Sequence, residues 1–247
     1  MKRSEPSEHI DGLLKRWPFD PNLLNVRLIK GRDQRDVIQM RVDMGVLQME
    51  TTGRPDGERV HGFDTVLDFL QSKRLEDDDY ELDEDVAGEV DREFMQYYHR
   101  RISWLRLSFY SRAVMDADHT LRLMDVSTEL SPDEEWSQTH EQYRPFVLFH
   151  RTQADALGHL EEDSAEAAVS AVNGGLDSMR EFFEKHDAME HFDEDELVTR
   201  LIELRESLRK EYKVGKTLEE KLHEAVADER YELAAKLRDE LSKRQAF

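Results

Sequence analysis

Two periodicities divide this chain. Between residues 25 and 51, apolar positions recur at every second residue: Val26 and Leu28 flank Arg27, and Ile38, Met40 and Val42 alternate with Gln39, Arg41 and Asp43. Such alternation marks strands with one buried face. Residues 31–35 supply a turn, and Gly45 breaks the run before a third stretch at 46–51. The pattern predicts two or three antiparallel strands with one wet face. Ahead of them, Trp17-Pro18-Phe19-Asp20-Pro21 reads as an extended segment, its aromatic side chains pinned onto the chain's own domain. Residues 52–57 are dense in turn formers and predict a surface loop. They lack the Gly-Lys-Ser/Thr and the following helix of a phosphate loop. A short helix over 63–73 is expected to cover one face of the sheet through Val66, Leu67 and Phe69 or Leu70.

Beyond the strands the period becomes helical. Val90, Phe94, Tyr97 or Tyr98, Ile102, Leu105 and Phe109 form one apolar stripe with Trp104 beside it, the usual signature of a core-facing helix. A helix continues or restarts over 114–126. Ser131 reads as the cap of the next, with Pro132 in its first turn, and Pro145 should kink or split that helix. Ala168, Val169, Val172, Leu176, Met179 and Phe183 share the face of a helix that begins after Ser164, while Gly174-Gly175 lowers its propensity and permits close packing. Residues 154–183 thus form a helical hairpin, only weakly tetratricopeptide-like because no period of about 34 residues repeats. Leu197, Leu201 and Leu204 mark a last helix of this body, and residues 214–216 form a hinge. The expected fold is α+β, mostly α. It comprises a small antiparallel sheet with a helix at 1–75, an acidic linker at 76–91, an acidic helical bundle at 92–213 and an αα-hairpin at 214–247.

The hairpin carries the most specific pattern. Leu218, Leu222 and Ala225 fall at helical spacing, Ala227-Asp228-Glu229 interrupts, and Tyr231, Ala234, Leu237 and Leu241 resume the period. Asp228 is placed to cap the second helix, whose first turn favours the negative Glu229 and Glu232. Glu232 with Lys236, and Asp239 with Lys243, are i,i+4 pairs in the favourable order. Ala234 and Ala235 let the helices approach closely. This run resembles the UVR motif, the helical hairpin by which the excision-repair proteins UvrB and UvrC recognise each other. The family's leucine and alanine of the first helix, its acidic turn, aromatic residue, Ala-Ala pair and Leu-Arg-Asp stand here as Leu222, Ala225, Asp228, Tyr231, Ala234, Ala235, Leu237, Arg238 and Asp239. The resemblance implies that Leu222, Ala225, Tyr231, Ala234, Ala235, Leu237, Arg238, Asp239 and Leu241 bind a partner protein. It covers about 30 of the 247 residues.

Charge changes the picture of the body. Residues 1–75 carry 13 Lys+Arg against 12 Asp+Glu, 76–202 carry 11 against 33, and 203–247 carry 11 against 11, so the net charge of −21 sits in the middle. Duplex DNA is held chiefly by Lys and Arg at its phosphates, and direct nucleic-acid binding is therefore disfavoured. The basic strand region around Arg27, Lys30, Arg32, Arg35 and Arg41, diluted by Asp33 and Asp36, is the one exception. No cysteine is present, which excludes disulfides, thiolate zinc sites and cysteine nucleophiles and suits a reducing cytoplasm. No apolar run reaches the roughly 18 residues of a membrane span, and no signal-peptide core follows the N-terminus.

Candidate chemistry is sparse. Asp83, Asp85 and Gly88 match an EF-hand loop, but Ala87 and Phe94 occupy ligand positions and the match fails. His186, Asp187, Glu190 and His191 have zinc-like i,i+4 spacing and read as a solvated helix end. A di-iron bundle needs two Glu-x-x-His motifs, and Glu220 to His223 is the single example. No nucleophile elbow, Walker loop or HExxH helix is visible, and neither metal nor cofactor is expected. The expectation is a cytoplasmic, non-enzymatic adaptor or regulator that binds a partner through the hairpin. The resemblance adds two settings: an excision-repair accessory joining UvrB or UvrC, and an adaptor of a Clp-type protease. It also admits homo-oligomers through the hairpin. An enzyme whose site assembles only in the fold ranks last.

Overall fold

The computed structural model describes residues 9–245, with residues 219 and 243–245 described by their backbone alone. The chain divides into two compact units between Glu141 and Gln142. In the first unit a small antiparallel sheet follows one short helix and longer helices come after it, as the change of period predicts.

The first unit contains α1 (Asp11–Arg16), β1 (Asn25–Lys30), β2 (Asp36–Val42), β3 (Gly45–Glu50), α2 (Val66–Glu76), α3 (Glu84–Arg106), α4 (Tyr110–Leu130) and α5 (Glu134–Glu141). The three strands lie in the order β1-β2-β3, with Ile38 opposite both Leu28 and Met49. Ile38, Met40 and Met49 are buried, and β1 and β2 pack on α3. The opposite face is partly covered, with Gln48 exposed at its β3 edge. Arg27 donates to Gln39 Oε1 at 3.0 and 2.6 Å, Gln39 donates to Gln48 at 2.9 Å, and the Trp17 ring covers the Arg27 guanidinium at 4.1 Å. Arg41 ties the same segment down by donating to the Trp17 carbonyl at 3.1 Å. The aromatic anchor expected at residues 17–21 is therefore present, and it covers part of that face.

Two further expectations are corrected. Helix α2 does not serve as the cover of the sheet. Its Val66, Leu67, Phe69 and Leu70 join Leu82, Val86 and Val90 and α4 residues Leu123, Val126 and Leu130 in one core cluster. Residues 76–91 are not a linker for the same reason. Asp83 caps α3 by accepting from the Val86 amide at 2.9 Å, and Leu82, Val86 and Val90 are buried while the carboxylates between them face outward. An acidic stretch stays ordered when apolar residues at helical spacing anchor it. Of the apolar residues predicted to face the core along α3, Val90, Tyr97 and Trp104 are buried, whereas Phe109 is exposed at the break before α4. The cap of α5 is Asp133, which accepts from the Trp136 amide at 3.0 Å, rather than Ser131.

The second unit contains α6 (Arg144–Glu161), α7 (Ala165–Lys185), a 3-10 turn at Met189–Glu194, α8 (Glu196–Tyr212), α9 (Leu218–Ala227) and α10 (Tyr231–Gln245). Pro145 lies in the first turn of α6, and the run expected as one helix toward Leu160 is split there as predicted, α5 ending at Glu141 and α6 beginning at Arg144. The six apolar residues predicted for one face of α7 are all buried. At Gly175 the helices α6 and α7 touch so closely that a Cβ would run into the Thr152 side chain, while Gly174 faces open space. Among the described residues, no helix is long and apolar enough to cross a membrane.

Candidate docking surface on the C-terminal hairpin

Helix α9 starts with a capping box. Thr217 Oγ1 accepts from the Glu220 amide at 3.3 Å, and Glu220 Oε2 accepts from the Thr217 amide at 2.8 Å. It ends in a left-handed closure: Glu229 takes φ +57°, its amide reaches the Val226 carbonyl at 3.0 Å, and the Arg230 amide reaches the Ala225 carbonyl at 2.7 Å. This is the Schellman arrangement, usually closed by glycine. Asp228 thus caps the end of α9 instead of the start of α10, and its carboxylate accepts from the Arg230 guanidinium at 2.7 Å. The two helices pack against each other along a separate apolar cluster of Leu218, Ala225, Ala234 and Leu237, with Leu222 and Leu241 partly buried beside it.

The nine predicted partner-binding residues therefore fall into two sets. Leu222, Ala225, Ala234, Leu237 and Leu241 form the hairpin's own seam, whereas Tyr231, Ala235, Arg238 and Asp239 face outward. Tyr231 opens α10 and is 66% exposed. Two apolar neighbours that the periodicity did not single out accompany it near the turn, Val226 at 51% and Leu233 at 39% exposed. Apolar side chains just off the seam of a thin hairpin would have been the signal for them. Arg238 and Asp239 pair at 3.0 Å on the outer face. The Asp239–Lys243 pair lies outside the described side chains.

Elsewhere, several ionisable groups are engaged internally. In the strand region Lys30 pairs with Asp36 at 2.8 Å, Arg35 with Asp33 at 2.6 Å and Glu50 at 3.0 Å, and Arg41 donates to the carbonyls of Trp17, Asp43 and Gly45. Cations committed in this way are poorly placed to neutralise phosphates. The first unit also contains a polar core that sequence periodicity did not reveal. Glu93, fully buried, accepts from the Val66 amide at 2.7 Å and bonds His119 Nε2 at 2.8 Å. Tyr97 stacks on His119 with ring centroids 3.7 Å apart and donates to the Gly53 carbonyl at 3.2 Å. Burial pushes the Tyr97 hydroxyl above its ordinary pKa. Arg100 grips Asp116 through two bonds of 2.9 and 2.7 Å and reaches Gly53 O at 2.7 Å. Burial pulls the neighbouring Arg101 down to about 10. The network fastens the loop after β3 to α3 and α4. Among the described residues, no group of three His, Asp or Glu side chains is placed to hold a metal ion.

Comparison with known proteins singles out the same C-terminal segment. No curated protein and no solved structure matches the chain. The family model described as the UvrB/uvrC motif matches residues 213–246, and the C-terminal hairpin is a UVR motif.

Proposed function

We propose that this chain is a non-enzymatic protein-interaction adaptor or regulator of the cytoplasm, and that the hairpin docks its partner. One observation carries the proposal. The hairpin closes its own seam, yet leaves the apolar side chains that flank its turn exposed, Tyr231 above all. An exposed aromatic on a rigid helix start supplies contact area at low entropic cost, the usual make-up of an interface anchor. The UVR match supports a partner that presents a helical hairpin of its own, since the motif's resemblance implies pairing of hairpin with hairpin. Membership of an excision-repair or a Clp-protease assembly is the finer form of this proposal.

The test is affinity capture with the full chain, using Tyr231→Ala and a control at an exposed position of α8, Glu203→Ala. Tyr231→Ala is expected to lose roughly tenfold or more in retention of captured partner, the size of an anchor residue's contribution, with unchanged helicity. Equal capture by both variants would remove Tyr231 from the interface. The captured protein then identifies the setting.

A further inference from the structure

The second unit holds two separate apolar cores, one made by α6, α7 and α8 and one by the hairpin. Between them the chain passes through Lys213, which ends α8 at φ +56°, and then through residues 214–216. Val214 packs on the bundle core, but Gly215 has open space around it. The covalent link alone does not fix the orientation of the hairpin. A side-chain contact bridges the two parts. Arg209 on α8 donates through Nη2 to Glu220 on α9, and both side chains are largely buried. Next to it, Arg205 Nη1 donates to Asn173 Oδ1 on α7 at 3.2 Å. Glu220 and His223 form one wall of a cavity of about 540 Å³ whose other walls include Arg180, Phe192 and Arg205. Arg209 Nε, buried in this contact, has no hydrogen-bond acceptor, so the closed state is incompletely satisfied.

We propose that the Arg209–Glu220 pair is a latch: closed, it fixes the hairpin on the bundle and walls the cavity; released, it lets the hairpin swing as a folded unit about residues 213–216. Glu220 and Arg209 are then positioning residues for the docking surface. The inference takes the docking role of the hairpin from the proposed function, but the latch itself is measured without any partner. Because Glu220 also belongs to the capping box, glutamine is the substitution that separates its two duties. Gln keeps the capping geometry and loses the charge.

The experiment uses the full chain, which has no cysteine of its own, spin-labelled at Glu181→Cys on α7 and Lys236→Cys on α10. A narrow distance distribution is expected for the parent and for Glu224→Gln, which breaks only the exposed Lys216–Glu224 pair of 2.7 Å. Glu220→Gln and Arg209→Met are expected to broaden it, and trypsin should cut at Lys213 and Lys216 about fivefold faster, since cleavage follows the open population. Helicity should be unchanged. An unaltered distribution in both latch variants, equal broadening by Glu224→Gln, or loss of hairpin helicity in Glu220→Gln would each overturn the latch. Failure of Tyr231→Ala to affect partner capture would instead strike the docking proposal and leave the latch standing.

Discussion

At the scale of single residues, the clearest consequences come from two adjacent glycines. Gly175 is where α6 and α7 meet, and a methyl group there collides with Thr152 Oγ1 and Cγ2; Gly174 meets nothing. Gly175→Ala is expected to destabilise the chain by about 1–3 kcal/mol through overpacking, while Gly174→Ala should stabilise it by up to about 1 kcal/mol through helix propensity. Thermal unfolding followed by circular dichroism distinguishes them, and equal effects of the two substitutions would contradict the helix contact. The sequence shows the pair but not which member touches, because neighbours on a helix point about 100° apart and only packing selects one. Glu229 makes the same point. A glutamate gives no sign that it will adopt the left-handed conformation closing α9, and Asp228 beside it is the conventional capping residue.

At the scale of elements, the hairpin is legible because each of its levels agrees: the capping box, the apolar spacing and the small residues of the seam all point to two short antiparallel helices. Glu220 at its base carries a pH prediction. Burial acts to raise its pKa, but the Thr217 amide, the Arg209 guanidinium and Asn173 outweigh that and hold it below the ordinary value of 4.5. A carboxyl that binds its proton less readily when folded adds stability that is complete above its ordinary value and is lost as pH falls through the folded one. The labelled pair should therefore give the same narrow distribution from neutral pH down to the ordinary glutamate value and broaden below it. Broadening already well above the ordinary glutamate value would take Glu220 out of the contact. The first unit behaves differently. Its α3 was expected to present an apolar stripe, and it buries Glu93, Arg100 and Arg101 on the same side as Tyr97 and Trp104. Polar residues at buried helical positions are indistinguishable from surface ones until their partners, here Asp116, His119 and Thr120, arrive from another helix.

At the scale of the molecule, the charge distribution and the pairing of the strand cations act together. A net charge of −21 repels phosphate at long range, and the strand cations Arg27, Lys30, Arg35 and Arg41 are tied to Gln39, Asp36, Asp33, Glu50 and backbone carbonyls at short range. The full chain is accordingly expected to show no retention of a duplex oligonucleotide in a filter or mobility assay at physiological salt. Binding that weakens steeply with added salt would reveal a phosphate-contacting surface and reverse the conclusion. The division of the chain between Glu141 and Gln142 also belongs to this scale. Composition suggested a boundary in the acidic stretch at 76–91, but charge density measures solvation, not contact, and Leu82, Val86 and Val90 tie that stretch to the first core.

The sequence by itself determined which segments become strands and helices, the buried face of α7, and the hairpin with its motif, because these depend on local periodicity and on residues a few positions apart. Tertiary structure alone decided which face each element buries against which neighbour, where Trp17 comes to rest, the polar core around Glu93, and the contact between Arg209 and Glu220. Each of those joins groups brought together by packing, and a side chain's partner across space leaves no period in its own segment.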